Sequence, residues 1–315
     1  MEVIMEQKEG TILEIHHLSV SFRMYGHGLR QRELKVISDL HLTVYPGEIV
    51  AIAGSSGSGK SLLSAAIFGI LPDNAMVHGH LHYKGQELTP ELQQKLRGSE
   101  IALVPQSVAY LDPLMRVGAQ AEGHHRPRPR EKRREVFWRF GLPRQTPRLY
   151  PFQLSGGMAR RVLVSAALIT DAELIIADEP TPGMSLAQAL EALQMFREIA
   201  REGKAVILIT HDIDLAFEFA DRVAVFYAGT TVETAPASDF KEGPDKLRHP
   251  YSRALWKALP QNGFEPIEGF QPYAENLPKG CLFAPRCPYR GERCLQAAPP
   301  VRLVRGGEVR CYYGA

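Results

Sequence analysis

Cysteine is missing from the first 280 of the 315 residues, and all four, Cys281, Cys287, Cys294 and Cys311, crowd into the tail. A body without thiols excludes a disulfide-stapled scaffold. No apolar run approaches the roughly 18 residues that span a bilayer. The opening MEVIMEQKEG is acidic, with no basic stretch leading into an apolar one, so no secretory signal is expected. Neither sign of charge dominates: 37 Lys and Arg against 35 Asp and Glu leave a net +2. That gives no electrostatic footprint for nucleic acid. The chain reads as cytosolic, where paired disulfides are a poor default. Its 44% hydrophobic and 23% charged residues suffice for a full core, and its length suggests about two domains.

Residues 12–23 (ILEIHHLSVSFR) and 34–45 (LKVISDLHLTVY) alternate apolar and polar side chains, as half-buried antiparallel strands do. GEIVAIAG (47–54) is a continuous apolar run ending in glycine, a buried strand feeding a loop. KSLLSAAIFGIL then has helical spacing. Further buried-strand runs, EIALVPQ, AELIIADEP, AVILITHD and RVAVFYAG, alternate with helical segments such as 187–202. This alternation predicts an α/β domain with a mostly parallel sheet. The pattern fades from about 236, and beyond 260 the chain turns rich in Pro, Gly, Arg and Cys. A boundary is therefore expected there, with a larger α/β domain over 1–260 and a Cys-rich extension over 261–315. The basic run RPRPREKRR (126–134) reads as a solvated loop and helix start rather than a binding patch.

GSSGSGKS (54–61) has the spacing G-x-x-x-x-G-K-[ST], with a strand before it and a helix after it. Gly54, Ser55, Gly57, Ser58 and Gly59 can turn successive backbone N–H groups onto phosphate oxygens, aided by the helix dipole. Lys60 would reach the β- and γ-phosphates of a nucleotide, and the Ser61 hydroxyl would ligate Mg²⁺. ELIIADEP ends a buried strand in two carboxylates: Asp178 to hold Mg²⁺ through water, Glu179 to orient or deprotonate the attacking water. ILITHD places His211 at another strand end, as a γ-phosphate contact.

QLSGGMARR (153–161) resembles the signature motif of the ABC-transporter ATPases, and the other motifs fall in that family's order. The resemblance spans about 12–260. It implies an ABC-type P-loop ATPase: a mixed-sheet core, an antiparallel β subdomain, a helical subdomain and, here, a small C-terminal cysteine-rich extension. It also implies that Glu179, His211 and Gln106 (in VPQ) are catalytic, with Gln106 joining Ser61 at Mg²⁺. Phe22 or Tyr25 would stack on adenine. Ser155, Gly156 and Gly157 would serve the ATP of a partner in a head-to-tail dimer. Two features depart from the pattern: Ser185 in PTPGMSL stands where an aspartate is usual, and Ala159 where glutamine is common. The Gln106-to-signature segment is also short, which points to a trimmed helical subdomain.

GSGKSLLSAAIFGILP, LDPLMRVGAQ and HPYSRALWKALP (249–260) are similar to the ATPase subunits of oligopeptide, dipeptide and nickel importers. The expected partners are then two transmembrane permease subunits, a paralogous ATPase subunit and an extracytoplasmic substrate-binding protein. The expected place is the cytoplasmic face of the inner membrane, as a peripheral subunit. The cargo, peptide or nickel, is not written in an ATPase. Five, six and 16 residues separate the successive cysteines. Zinc sites usually draw ligands in tighter pairs, and the matching family tail is associated with a 4Fe–4S cluster, so a cluster leads and zinc is the alternative. Either metal would close the loops of a tail too small to bury much core, and the tail would dock the two ATPase subunits. Rival readings are a soluble ABC ATPase of the repair or translation kind and a P-loop metal chaperone.

Overall fold

The computed structural model describes residues 10–25, 31–55, 57–122 and 130–314. The opening nine residues, most of the loop after Tyr25 and the first part of the basic run 126–134 lie outside them.

Among the described residues, twelve strands form two sheets. In the first, β1 (Leu13–Tyr25), β2 (Gln31–Val44), β4 (Ala75–Tyr83) and β5 (Gln86–Glu87) are antiparallel in the order β2-β1-β4-β5. The second holds β3 (Ile49–Gly54), β6 (Ile101–Val104), β7 (Leu174–Asp178), β8 (Ala205–Ile209), β9 (Arg222–Tyr227), β10 (Thr230–Pro236), β11 (Arg302–Val304) and β12 (Gly307–Val309). Its order is β11-β12-β10-β9-β3-β8-β7-β6. The β9, β3, β8, β7 and β6 pairings are parallel; those of β10, β11 and β12 are antiparallel.

The parallel strands are apolar on both faces because both are covered. Val50, Ile52, Ile176, Ile207 and Phe226 pack with Ile15, Val20, Leu40 and Leu81 of the antiparallel sheet and with Leu63 and Ile67 of the helix Lys60–Phe68. Ala51, Ala177, Leu208 and Val225 pack with Val162 and Leu168 of the helix Gly156–Ile169 and with Leu193 and Phe196 of the helix Leu186–Arg201. Helices Val117–Glu122 and Arg130–Arg139 lie between β6 and the signature. In the latter, Arg139 pairs with Glu191 and Glu198 and Lys132 with Asp171, so these basic side chains act as surface ion-pair partners.

The residues after 260 pack on the body formed by the residues before them. The β11–β12 hairpin extends the main sheet, with Glu233 opposite Val309 and Thr234 opposite Glu308. Phe283 packs its ring against Tyr227 and Tyr251, at centroid distances of 5.2 and 5.4 Å. Arg248, fully buried, pairs with Glu233 and Asp239 and donates from Nε to the Val304 carbonyl at 2.6 Å. The extension is held by a strand pairing, an aromatic cluster and a buried charge pair, each anchored in the body.

Candidate functional site

The phosphate-site residues gather at the carboxyl ends of the parallel strands, where open α/β sheets hold their ligands. β3 ends at Gly54, β7 at Asp178, His211 follows β8 by two residues, and Gln106 follows β6 by two. Gly57 and Gly59 take left-handed backbone (φ 78° and 94°), which bends the loop into the start of the helix Lys60–Phe68. Lys60 is buried, and its Nζ donates to the carbonyls of Gly54 (2.8 Å) and Ser55 (3.0 Å). Burial pushes its pKa down; the charges of Glu179 and Asp178 oppose that.

Asp178 is buried, accepting from Ser61 Oγ at 3.2 Å and from Ser64 Oγ at 3.4 Å. Burial raises its pKa, Glu179 reinforces that, and the hydroxyls and Lys60 oppose it. Ser61 and Asp178 thus offer adjacent hard oxygens, the donor set that Mg²⁺ takes. Glu179 has left-handed backbone at φ 50°, uncommon for a side chain of its size, and its N–H donates to the Ile209 carbonyl at 2.9 Å. Its Oε2 lies 2.6 Å from His211 Nδ1. The Glu179 side chain is largely buried and the His211 ring largely exposed, so the pair faces outward from the sheet edge.

The remaining sequence-predicted residues stand apart from this cluster. Gln106 is exposed, and its segment is fastened to the signature helix through the backbone: Arg160 donates to the Pro105 carbonyl at 2.8 Å and also to that of Gln106. Ser155 caps the signature helix, its Oγ accepting from Met158 N–H at 3.3 Å; Ser155 and Gly156 are exposed. A side chain at Gly157 would begin 3.0 Å from the Gly183 carbonyl, so the signature packs backbone to backbone on the loop after Glu179. Ser185, the departure from the family pattern, caps the helix Leu186–Arg201 in a reciprocal box with Gln188. Tyr25 is exposed at the end of β1, with Phe22 half-buried three residues before it.

The sequence reading missed two contacts. Arg160 is buried on the apolar side of the signature helix, where a charge among Ala159, Val162 and Leu163 is itself a signal. Ser55 Oγ donates to Gln271 Oε1 at 2.7 Å, a link from the extension to the P-loop across 216 positions that no local pattern reveals.

In the tail, Cys294 and Cys311 are buried and Cys281 and Cys287 half-buried, all as free thiols. Burial pushes the Cys281 thiol up to about 11, and Cys294, Cys311 and Cys287 add to the rise, so the four lie near one another. The Cys281 N–H also donates to the Cys294 carbonyl at 2.8 Å. No three of these sulfurs, however, lie mutually within 4.8 Å; among the described residues that spacing is met by His17, Asp39 and His41.

Comparison with known proteins matches residues 37–182 to the ABC transporter family and residues 232–294 to the oligopeptide/dipeptide transporter C-terminal region. A putative peptide import ATP-binding protein of Brucella melitensis is 34% identical, over 96% of this chain and 95% of its own length. The dipeptide transport ATP-binding protein DppD of Escherichia coli is 33% identical, over 96% of each. Among solved structures, the dimeric post-hydrolysis state of the ATP-binding cassette MJ0796 with ADP and phosphate aligns at a TM-score of 0.62 and 25% identity. That alignment covers 72% of this chain and 99% of the cassette.

Proposed function

The chain belongs to the ATP-binding proteins of the ABC transporters and is an ATPase; from that premise we propose that it energises the import of short peptides. The observation that carries the reading is the joint presence of a phosphoryl-transfer edge, from Lys60 to His211, and a C-terminal region of the oligopeptide/dipeptide kind. The names of the curated relatives, peptide import and dipeptide transport, support peptide as the cargo over a nickel chelate.

Lys60 gives up its two carbonyl partners to bind the β- and γ-phosphates. Ser61 and Asp178 would hold Mg²⁺, with the Gln106 side chain as a further ligand, and the ion would supply positive charge against the phosphates. Glu179 accepts the proton of the attacking water while His211 holds its carboxylate in place and reaches the γ-phosphate. Tyr25 stacks on the adenine. Ser155, Gly156 and Gly157 present a capped helix N-terminus to the ATP of a partner ATPase, so two nucleotides join two subunits. Because Ser185 replaces the usual acidic residue, we assign a heterodimer of diverged ATP sites over a symmetric pair. Among the described residues no helix is long and apolar enough to cross a membrane. Two permease subunits then anchor the pair at the cytoplasmic face of the inner membrane, and a binding protein outside delivers the peptide.

We assign residues 1–260 to the ATPase and 261–315 to an extension whose cysteines ligate a 4Fe–4S cluster. The donor set supports this: four thiols near one another, no three of them mutually within 4.8 Å, and thiolates are the ligands such a cluster takes. The cluster would supply a rigid cross-link between the loops of the tail. Iron, acid-labile sulfide and zinc analysis after anaerobic purification tests it; one zinc and no sulfide would replace cluster by zinc.

Transport tests the main reading. Vesicles carrying this chain, its permease subunits and its partner ATPase should accumulate peptide only with ATP and binding protein, and not with Lys60→Ala. Accumulation of a nickel chelate in place of peptide would overturn the cargo, and two copies of this chain per complex would overturn the heterodimer.

A further inference from the structure

Six of the chain's 11 histidines, His16, His17, His41, His78, His80 and His82, lie on the antiparallel sheet, away from the phosphate edge. Three side chains converge there. Asp39 Oδ1 lies 2.6 Å from His17 Nδ1 and 3.2 Å from His41 Nε2, and the three ligand atoms are all within 4.8 Å of one another. The His17 and His41 rings meet edge to face at 4.3 Å.

The backbone is bent to bring them together. The β1–β2 register shifts on either side of Leu18, and both His17 (φ 54°) and Asp39 (φ 53°) take left-handed backbone. Such conformations cost about 1–3 kcal/mol each and persist where the surroundings enforce them. Gly79 of β4 makes room, since a Cβ there would sit 2.4 Å from the His17 carbonyl oxygen. Arg310 occupies the other carboxylate oxygen, Asp39 Oδ2, at 2.5 Å, which turns Oδ1 to the histidines. Burial pushes the Asp39 carboxyl up, but the hydrogen bonds from His41 and Arg310 outweigh it and hold the group anionic, well below the usual range. Both histidines converge on one carboxylate oxygen, and His17 is open to solvent.

We propose that His17, Asp39 and His41 form a binding site for one borderline divalent transition-metal cation, of the Zn²⁺ or Ni²⁺ kind. Two imidazoles and a carboxylate are the donors such ions prefer, and solvent completes the coordination. Arg310 is the outer partner that orients the ligating carboxylate. Because Arg310 precedes Cys311, the cation would tie the antiparallel sheet to the metal-binding tail. This site is independent of the nucleotide and of the cluster.

Co²⁺ titration of the full-length chain separates the two metal sites in one sample. Thiolate ligation gives intense near-ultraviolet charge transfer, whereas imidazole and carboxylate give a weak visible band. With the four cysteines already holding their own metal, one equivalent of Co²⁺ should raise the visible band alone, and Zn²⁺ should displace it. Affinity should fall at least about tenfold in His17→Gln and in His41→Gln. His80→Gln, on the same sheet but outside the trio, should titrate as the wild type does. His17→Gln alters an exposed side chain, so it carries the test even if His41→Gln fails to fold. Equal isotherms for wild type and His17→Gln, or an equal loss in His80→Gln, would overturn the site.

Discussion

Glu179 Oε2 and His211 Nδ1 lie 2.6 Å apart and join the ends of two adjacent parallel strands, β7 and β8. The strands set this pairing, since the Glu179 N–H is itself held by the carbonyl of Ile209. His211→Ala should therefore leave ATP affinity within about twofold while hydrolysis falls by roughly 10²-fold or more, the usual share of a positioned acid–base group. Nucleotide binding and phosphate release, measured side by side, check the split.

Arg160 bridges two carbonyls, those of Pro105 and Gln106, and fastens the segment after β6 to the signature helix. Arg160→Met keeps the volume and leaves both carbonyls unpaired. It should cost about 1–3 kcal/mol for each carbonyl left buried, read as a lower urea midpoint. Arg160→Lys, able to reach only one carbonyl, should fall between the two.

Arg248 and Glu233 are both fully buried, and Arg248 also holds the tail through the Val304 carbonyl. Glu233→Ala should destabilise by roughly 1–3 kcal/mol for each buried donor it leaves unsatisfied, the N–H groups of Arg248 and His249 among them, while Asp239 still pairs with the guanidinium. Proteolysis should then cut first in the β11–β12 tail, and an undisturbed tail in a destabilised Glu233→Ala protein would contradict the anchoring role.

His249 is buried, its Nδ1 accepting from Tyr251 N–H at 3.0 Å; burial, aided by the Arg253 charge, pushes its pKa down from 6.5 to about 3. A histidine held neutral in the fold binds its proton only when unfolded. Its contribution is therefore complete above about pH 6.5 and is lost as pH falls toward about 3. Between those limits wild-type stability should drop more steeply with acid than that of His249→Gln. Urea melts across that range give the difference, and parallel slopes would contradict it.

The parallel core was legible because β3, β7 and β8 are buried on both faces and read as unbroken apolar runs. The P-loop, Asp178–Glu179 and His211 were legible for a related reason: each chemistry is carried by neighbours in sequence at a strand end. β4 escaped because four of the nine residues of AMVHGHLHY are exposed and Gly79 interrupts the alternation of Val77, Leu81 and Tyr83 with histidines. β11 and β12 are only three residues each; they pair with each other, and β12 pairs with β10. Arg160 on Gln106, Gln271 on Ser55, and Asp39 between two histidines are tertiary contacts, so no spacing in the sequence encodes them.

The central claim is that Glu179 drives ATP hydrolysis at the edge of β7, and hydrolysis by Glu179→Gln in the assembled transporter tests it most directly. The account requires the variant to bind Mg²⁺-ATP as the wild type does, to hold the closed pair of ATPase subunits, and to hydrolyse at least about a hundredfold more slowly. Hydrolysis at the wild-type rate would contradict it.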